Sequence, residues 1–292
     1  MILKAIKYFY RKSKKRKEMI IDRRLFDIDE IEATKKFLED RLLDHKEKKS
    51  LIFSFDGPPG VGKDSQINIL KKKLEKEAYK VEVFRETSIK FFGEIDTLAE
   101  EYAELRRGYI KKNWENSSPA ELRRYLVMAR ENAWCKYIRP IAINEKKIIL
   151  LNRSYVSALA IAAIDSPEKS LIAIAHDVIS PSVIPADISF IINARPEIAY
   201  SRLKYRANKG KLRGKDWIDP WYKIVYEQKY GVKEKLPEMR FWWLMHNERV
   251  YNDLSSIITN GELITTNKKR LRGENVSNLM FRYIKQKADE CF

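Results

Sequence analysis

The sequence of 292 residues predicts an α/β protein in three layers, a parallel sheet covered by helices on both faces. Three observations carry that prediction. Its strand-like segments are mostly continuous apolar runs rather than strict alternations, as strands buried on both faces tend to be. They alternate along the chain with helical segments, which favours parallel crossovers. And the first of them, Leu51-Ile52-Phe53-Ser54-Phe55-Asp56, runs into the glycine-rich turn Gly57-Pro58-Pro59-Gly60-Val61-Gly62 and then into a helical pattern.

Taken in order, residues 1–49 read as an extension: a basic arm, then an amphipathic helix from about Ile28 to Asp44 with Ile31, Phe37, Leu38 and Leu42 on or near one face. The main domain occupies 50–292. After the turn, a helix is expected over about Lys63–Glu77, followed by a short strand Val81–Phe84 and a charged helical region from Ile95 to about Lys112. Ser117-Ser118-Pro119-Ala120-Glu121 supplies a cap and a first-turn proline for a helix running to about Ile138. Strands follow at Lys147–Leu151, ending in Asn152-Arg153-Ser154, and at Asp187–Ile192, with a helix starting at Pro196. A basic segment with two glycines (Lys209–Lys215), an aromatic-rich helical region (Pro220–Leu254), a last strand Glu262–Thr266 and a C-terminal helix complete five strands. No internal repeat is present.

Composition narrows the class. With 44% hydrophobic residues the chain can fill a sizeable core. Two cysteines, Cys135 and Cys291, make neither a disulfide framework nor a zinc site, which reads as an intracellular, reduced, cytoplasmic protein. No apolar run is long enough to span a bilayer, since Asn152 and Arg153 interrupt one candidate and His176 and Asp177 another. The net charge of +17 is large and suggests a polyanionic partner. Residues 1–24 hold ten Lys or Arg against Glu18 and Asp22, a net +8, and are expected to meet nucleic acid or an anionic surface; the plainer reading is a solvated tail. Ile2, Leu3, Ile6, Phe9 and Tyr10 give the arm an apolar stripe compatible with a membrane surface.

The turn after the first strand carries the chemistry. The turn Gly57, Pro58, Pro59, Gly60, Val61 and Gly62 is rich in small residues, which let backbone N–H groups close round an anion, while a helix N-terminus and Lys63 add positive potential. This is a phosphate-binding loop. The position after the lysine, where a hydroxyl normally meets Mg²⁺, is Asp64; a serine follows only at Ser65.

Several segments, in order, resemble the thymidylate kinase family of P-loop nucleoside-monophosphate kinases. Asp56 to Gln66 is similar to that family's loop, Gln66 being a detail that generic loops lack; Phe84-Arg85-Glu86-Thr87 falls where the family has Thr-Arg-Glu-Pro. Ala129-Arg130-Glu131-Asn132 and Ile138-Arg139-Pro140 keep the family's spacing, and Leu151-Asn152-Arg153-Ser154 matches its Asp-Arg-Tyr/His motif. Ala186–Ile192, Pro196–Ala199 and Arg202–Arg206 resemble the strand and helix that lead into its lid, here about 207–216, so the likeness spans about 50–290.

The resemblance implies a P-loop kinase fold with a five-stranded parallel sheet, use of ATP and Mg²⁺, a small nucleotide acceptor and a homodimer. It implies that Lys63 holds the donor phosphates, that Arg85 and Arg153 clamp the acceptor phosphate or the transferring group, and that Arg130 contacts the acceptor. Arginine suits these roles because its planar fork donates to phosphate oxygens in pairs. Arg206 or Arg213 of the lid is expected to stabilise the transition state. For each arginine the plainer reading is a structural salt bridge or a solvated face. His176 reads as a structural or surface histidine.

The departures fall in related places. The family's acid before the motif arginine is here Asn152, while Asp64 brings an acid into the loop. One reading moves the charge: Asp64 meets Mg²⁺ directly, with Ser65 beside it and Asn152 acting through water. The other reading is decay, because an aspartate beside a triphosphate is repulsive without metal. Leu126 stands where the family stacks an aromatic on the base and Ile161 where many members have a tyrosine, which weakens the case for thymidylate itself. The leading expectation is ATP-dependent phosphorylation of a deoxynucleoside monophosphate. The alternatives are a deoxynucleoside kinase, from the likeness of Asn152–Ser157 to that family's Glu-Arg-Ser motif, and a nucleic-acid-binding P-loop protein or a kinase acting on nucleic acid.

Overall fold

The computed structural model describes residues 26–41, 48–85, 138–165, 169–179, 183–209, 236–258, 260–266 and 273–292. The basic arm, Leu42, the helices expected over 95–137 with Leu126 and Arg130, and the lid beyond residue 209 with Arg213 lie outside these residues.

Five strands form one parallel sheet: β1 (Leu51–Asp56), β2 (Val81–Arg85), β3 (Ile148–Asn152), β4 (Ile188–Asn193) and β5 (Gly261–Thr265), in the spatial order β2-β3-β1-β4-β5. Each expected strand is present, with ends moved by about one residue. The helices in chain order are α1 (Ile28–Arg41), α2 (Lys63–Lys76), α3 (Arg139–Asn144), α4 (Tyr155–Asp165), α5 (Leu171–Val178), α6 (Pro196–Asn208), α7 (Leu236–Ser255) and α8 (Gly273–Cys291).

Alternation along β1 sorts the layers. Leu51, Phe53 and Phe55 face one side and join Ile67, Leu70 and Leu74 of α2 with Met280, Ile284 and Ala288 of α8. Ile52 faces the other side, in a cluster with Ile149, Leu151, Phe84 and Ala142 of α3. A third cluster packs α4, α5, α6 and α7 together near Ile191 of β4. Phe26 and Leu38 are buried in that cluster too, so α1 is packed against α5 as part of the body of the protein.

Three details differ from the sequence reading. Helix α3 begins just after Ile138, where the sequence reading expected a helix to stop, and Pro140 stands in its first turn, where a missing N–H costs nothing. Helices α4 and α5 were not expected: α4 is buried almost all round and so lacks the polar stripe that marks a period of 3.6, whereas α5 carries a signal that the sequence reading missed, the cap Ser170 followed by Leu171, Ile174, Ala175 and Val178 at helical spacing. And α6 continues through Asn208, so the segment expected to begin the lid at 207 is still helical there. Among the described residues no helix is long and apolar enough to cross a membrane.

Candidate functional site

The site lies at the carboxyl ends of the strands, where β1 is flanked by β3 on one side and β4 on the other and the chain direction of build-up reverses. The register aligns Phe55 with Asn152 and Asn152 with Arg85, so the ends of β1, β3 and β2 finish in one row beside the loop that follows Asp56.

That loop is shaped by three glycines with positive φ: Gly57 at +138°, Gly60 at +83° and Gly62 at +106°. A Cβ on Gly57 would stand 2.0 Å from the carbonyl oxygen of Ile192, and one on Gly60 2.8 Å from that of Ala199, so the loop presses against β4 and α6. At Gly62 a Cβ would meet nothing within 4 Å. The same glycine begins α2 without any side-chain cap, which leaves the first-turn amides directed at the space above the loop. Pro58 and Pro59 carry no N–H, and the Pro58 carbonyl serves instead as an acceptor.

Lys63 Nζ donates to the carbonyl oxygens of Gly57 at 2.7 Å and Pro58 at 2.9 Å. Its side chain is buried. Burial, then Arg153, lowers its pKa well below the usual lysine value; Asp56 and Asp64 oppose this and Arg206 adds to it. Lys63, Arg153, Arg206, Asp56 and Asp64 therefore share one electrostatic neighbourhood, and three of the five are cations. Arg153 sits in the left-handed region at φ +82° and its N–H donates to the Phe55 carbonyl at 3.1 Å.

Asp64 and Ser65 are exposed in the first turn of α2. Asn152 Nδ2 donates to Asp64 Oδ1 at 2.7 Å, so the two departures from the family's pattern at the expected metal site are in direct contact. The backbone of Arg85 ends β2 in the same row. His176 is exposed on α5 with its ring 4.0 Å from that of Phe37, away from this cluster.

Sequence reasoning missed two groups of residues. One is Arg202 of α6, whose guanidinium donates to Val61 O (3.0 Å), Gly60 O (3.4 Å), Thr266 Oγ1 (3.3 Å) and Thr266 O (3.4 Å), pinning the loop to the end of β5. The other is Asp56, fully buried, with Ser54, Ser154 and Ser157 around it. A signal existed for the second: Ser54 and Asp56 interrupt an otherwise apolar strand at a spacing of two, on one face. Gln66 has a structural place instead, accepting from Ser277 Oγ at 2.6 Å and joining α2 to α8.

Comparison with curated proteins returns no match. Comparison with family descriptions matches residues 55–218 to the family described as thymidylate kinase, more than half of the chain and spanning the phosphate loop, Arg85, Asn152-Arg153 and α6. With the parallel five-stranded sheet and the phosphate loop at its centre, this chain belongs to the thymidylate kinase family.

Proposed function

We propose that the protein transfers the γ-phosphoryl group of ATP to the phosphate of a nucleoside monophosphate. The observation that carries this reading is the convergence of Lys63, Arg153 and Arg206 at the loop, where their mutual repulsion adds to burial in weakening the hold of Lys63 on its proton. A cluster of cations of this kind is stabilised by a polyanion, and phosphoryl transfer depends on positioning and charge neutralisation more than on a nucleophile of the protein.

In this reading the loop amides and Lys63 bind the donor phosphates, Arg153 meets the transferring or acceptor phosphate from the end of β3, and Arg206 approaches from α6. The donor set near Asp64 fits Mg²⁺: Asp64, Ser65 and Asn152 offer oxygens only, and among the described residues no cluster of three or more His, Cys, Asp or Glu competes for a softer metal. Asp64 and Asn152 would hold the ion with help from phosphate oxygens and water. When bound, Mg²⁺ neutralises charge on the donor phosphate oxygens. Asp64 keeps one carboxylate oxygen beyond its bond with Asn152, and Asn152 orients it.

A monophosphate acceptor attacks with an oxygen that is already anionic, whereas a nucleoside hydroxyl must lose a proton to a base. Asp56, the carboxylate nearest in sequence to the loop, is fully buried with five donors on it and has no access to an acceptor. Asp56 therefore does not serve as that base.

The test is γ-phosphate transfer from ATP with Mg²⁺ to deoxynucleoside monophosphates, deoxynucleosides, and single- and double-stranded DNA. Transfer to a monophosphate is expected; transfer only to a nucleoside or to DNA, or to none of them, overturns the reading. The charge of residues 1–24 is tested separately: a near-zero salt slope of DNA or RNA binding by the full chain removes nucleic acid as a partner.

A further inference from the structure

We propose that Asp56 is a positioning residue that fixes the Arg153 turn to the phosphate loop through Ser154 and Ser157. This rests on the reading above that Arg153 acts on a phosphate.

Asp56 Oδ1 accepts from Ser154 N at 2.8 Å, Ser157 N at 3.1 Å and Ser157 Oγ at 2.6 Å; Oδ2 accepts from Ser154 Oγ at 2.6 Å and Ser54 Oγ at 2.8 Å. Ser54 Oγ lies in turn 3.0 Å from Ser189 Oγ of β4, its register partner. Every lone-pair direction of a carboxylate with no exposed surface is thereby used. A buried carboxylate with this many partners is held in one geometry, since loss of any donor leaves a desolvated acceptor unpaired. Its contribution lies in the geometry it imposes.

That geometry concerns Arg153. Ser154 and Ser157 are the residues that open α4, so the carboxylate acts as a cap supplied from another strand, satisfying N–H groups that the helix cannot. Arg153 immediately precedes them, with φ +82°, a conformation a non-glycine residue adopts only when its surroundings enforce it. The enforcement comes from β1 on both sides: Arg153 N donates to Phe55 O, and the next N–H, that of Ser154, donates to Asp56 Oδ1. The residue after Asp56 is Gly57, whose carbonyl accepts from Lys63 Nζ. A single carboxylate thus ties the origin of the Arg153 side chain to the cradle of Lys63. Tyr251 OH of α7 donates to Ser157 Oγ at 3.1 Å and extends the network to the helix layer.

The test is a four-member set: the native chain, Asp56→Ala, Arg153→Ala and the double variant, each measured for kcat in the transfer assay and for thermal unfolding. A residue that acts through Arg153 lowers kcat by about tenfold or more in the native background and by less than about twofold once Arg153 is gone, since groups acting as one unit are not additive. Its effect on Tm is the same in both backgrounds. Equal losses of kcat in both backgrounds overturn the proposal and leave Asp56 a structural residue.

Asp56→Asn is the conservative variant. Its Nδ2 can donate to the Ser54 and Ser154 hydroxyls, which rotate to accept, while its Oδ1 keeps the two backbone donors and Ser157, so it is expected to retain activity within about threefold. If Asp56→Ala does not fold, Ser157→Ala goes through the same cycle, with a smaller but still non-additive loss expected. Should the native chain transfer phosphate to no acceptor, the functional reading fails and the cycle is read by calorimetric ATP affinity instead. Non-additivity there upholds the positioning role, and additivity, or no ATP binding by the native chain, overturns it.

Discussion

Asn152 at the end of β3 and Asp64 in the first turn of α2 are joined by a hydrogen bond of 2.7 Å, Nδ2 donating to Oδ1. Two of the substitutions that set this chain apart from its family's pattern, those at the loop and at the end of β3, are therefore one structural unit. An aspartate at residue 152 would set two carboxylates against each other, whereas the amide gives Asp64 a donor and holds one of its oxygens fixed. The favourable field at the start of α2 further suits a carboxylate at this position.

Exchange of the pair tests this directly. Asp64→Ser is expected to raise the Mg²⁺ concentration for half-maximal turnover by about tenfold, because it removes the only protein carboxylate of the pair. Asn152→Asp alone is expected to destabilise the unliganded protein by about 1 kcal/mol through repulsion at an exposed site. The double variant, which returns the acid to the strand end, is expected to recover Mg²⁺ dependence. Mg²⁺ titrations of turnover check all three, and an Asp64→Ser variant with unchanged dependence removes Asp64 from the metal site.

Lys63 makes a prediction about protons. Burial and Arg153 lower its pKa well below 10.5, so between its folded-state pKa and 10.5 the unfolded chain binds more protons than the folded one. Stability of the unliganded protein from this group therefore rises with pH through that window. ATP brings negative charge to Nζ and pushes its pKa back up, so binding takes up a proton at pH values between the unliganded and ATP-bound pKa values of Lys63. Calorimetry in two buffers of different ionisation enthalpy reads the uptake directly; Lys63→Met should abolish it.

The loop glycines separate conformational from steric effects. Gly57→Ala combines an unfavourable φ with a Cβ placed 2.0 Å from the Ile192 carbonyl oxygen, and is expected to cost about 3 kcal/mol or more, with loss of ATP binding. Gly62→Ala meets no neighbour and bears only the left-handed backbone, so a cost of about 1–2 kcal/mol with the fold retained is expected. Denaturant unfolding of the two variants gives the comparison; equal costs would mean that backbone strain alone governs this loop.

Much of this was legible in the sequence because it was written locally. The five strands announced themselves as short apolar runs, and the phosphate loop could be read from glycine spacing and Lys63 alone. The contact between Asp64 and Asn152 was legible only as a coincidence of two substitutions, since the residues are 88 apart and the register of β1 with β3 brings them together. The role of Arg202 was not legible, and Asp56 was marked only by standing with Ser54 on one face of an otherwise apolar strand. Asp56 looked like the last residue of a strand, and its five donors come from Ser54 beside it and from α4, a helix whose all-round burial erased its periodicity. Arg202 looked like one base among several on α6, and only the approach of that helix to Gly60, required by the missing side chain there, turns it onto the loop carbonyls.

Arg202 and Arg206 lie one turn apart on α6 and are expected to fail differently. Arg202 is half-buried, and its pKa is lowered by burial and then by Arg206, yet a guanidinium stays charged at any pH of interest. It joins Val61 in the loop to Thr266 after β5 with bonds from both terminal nitrogens. Lysine offers one ammonium and cannot span both partners, so Arg202→Lys should destabilise the protein by about 1–2 kcal/mol. It should also weaken ATP binding by about tenfold, by loosening the loop. Arg206→Ala should leave unfolding nearly unchanged, or stabilise slightly by relieving repulsion on Lys63 and Arg202, while lowering kcat. Parallel measurements of Tm, ATP affinity and kcat separate the two, and an Arg202→Lys variant with native ATP affinity would show that the loop holds its shape without this clamp.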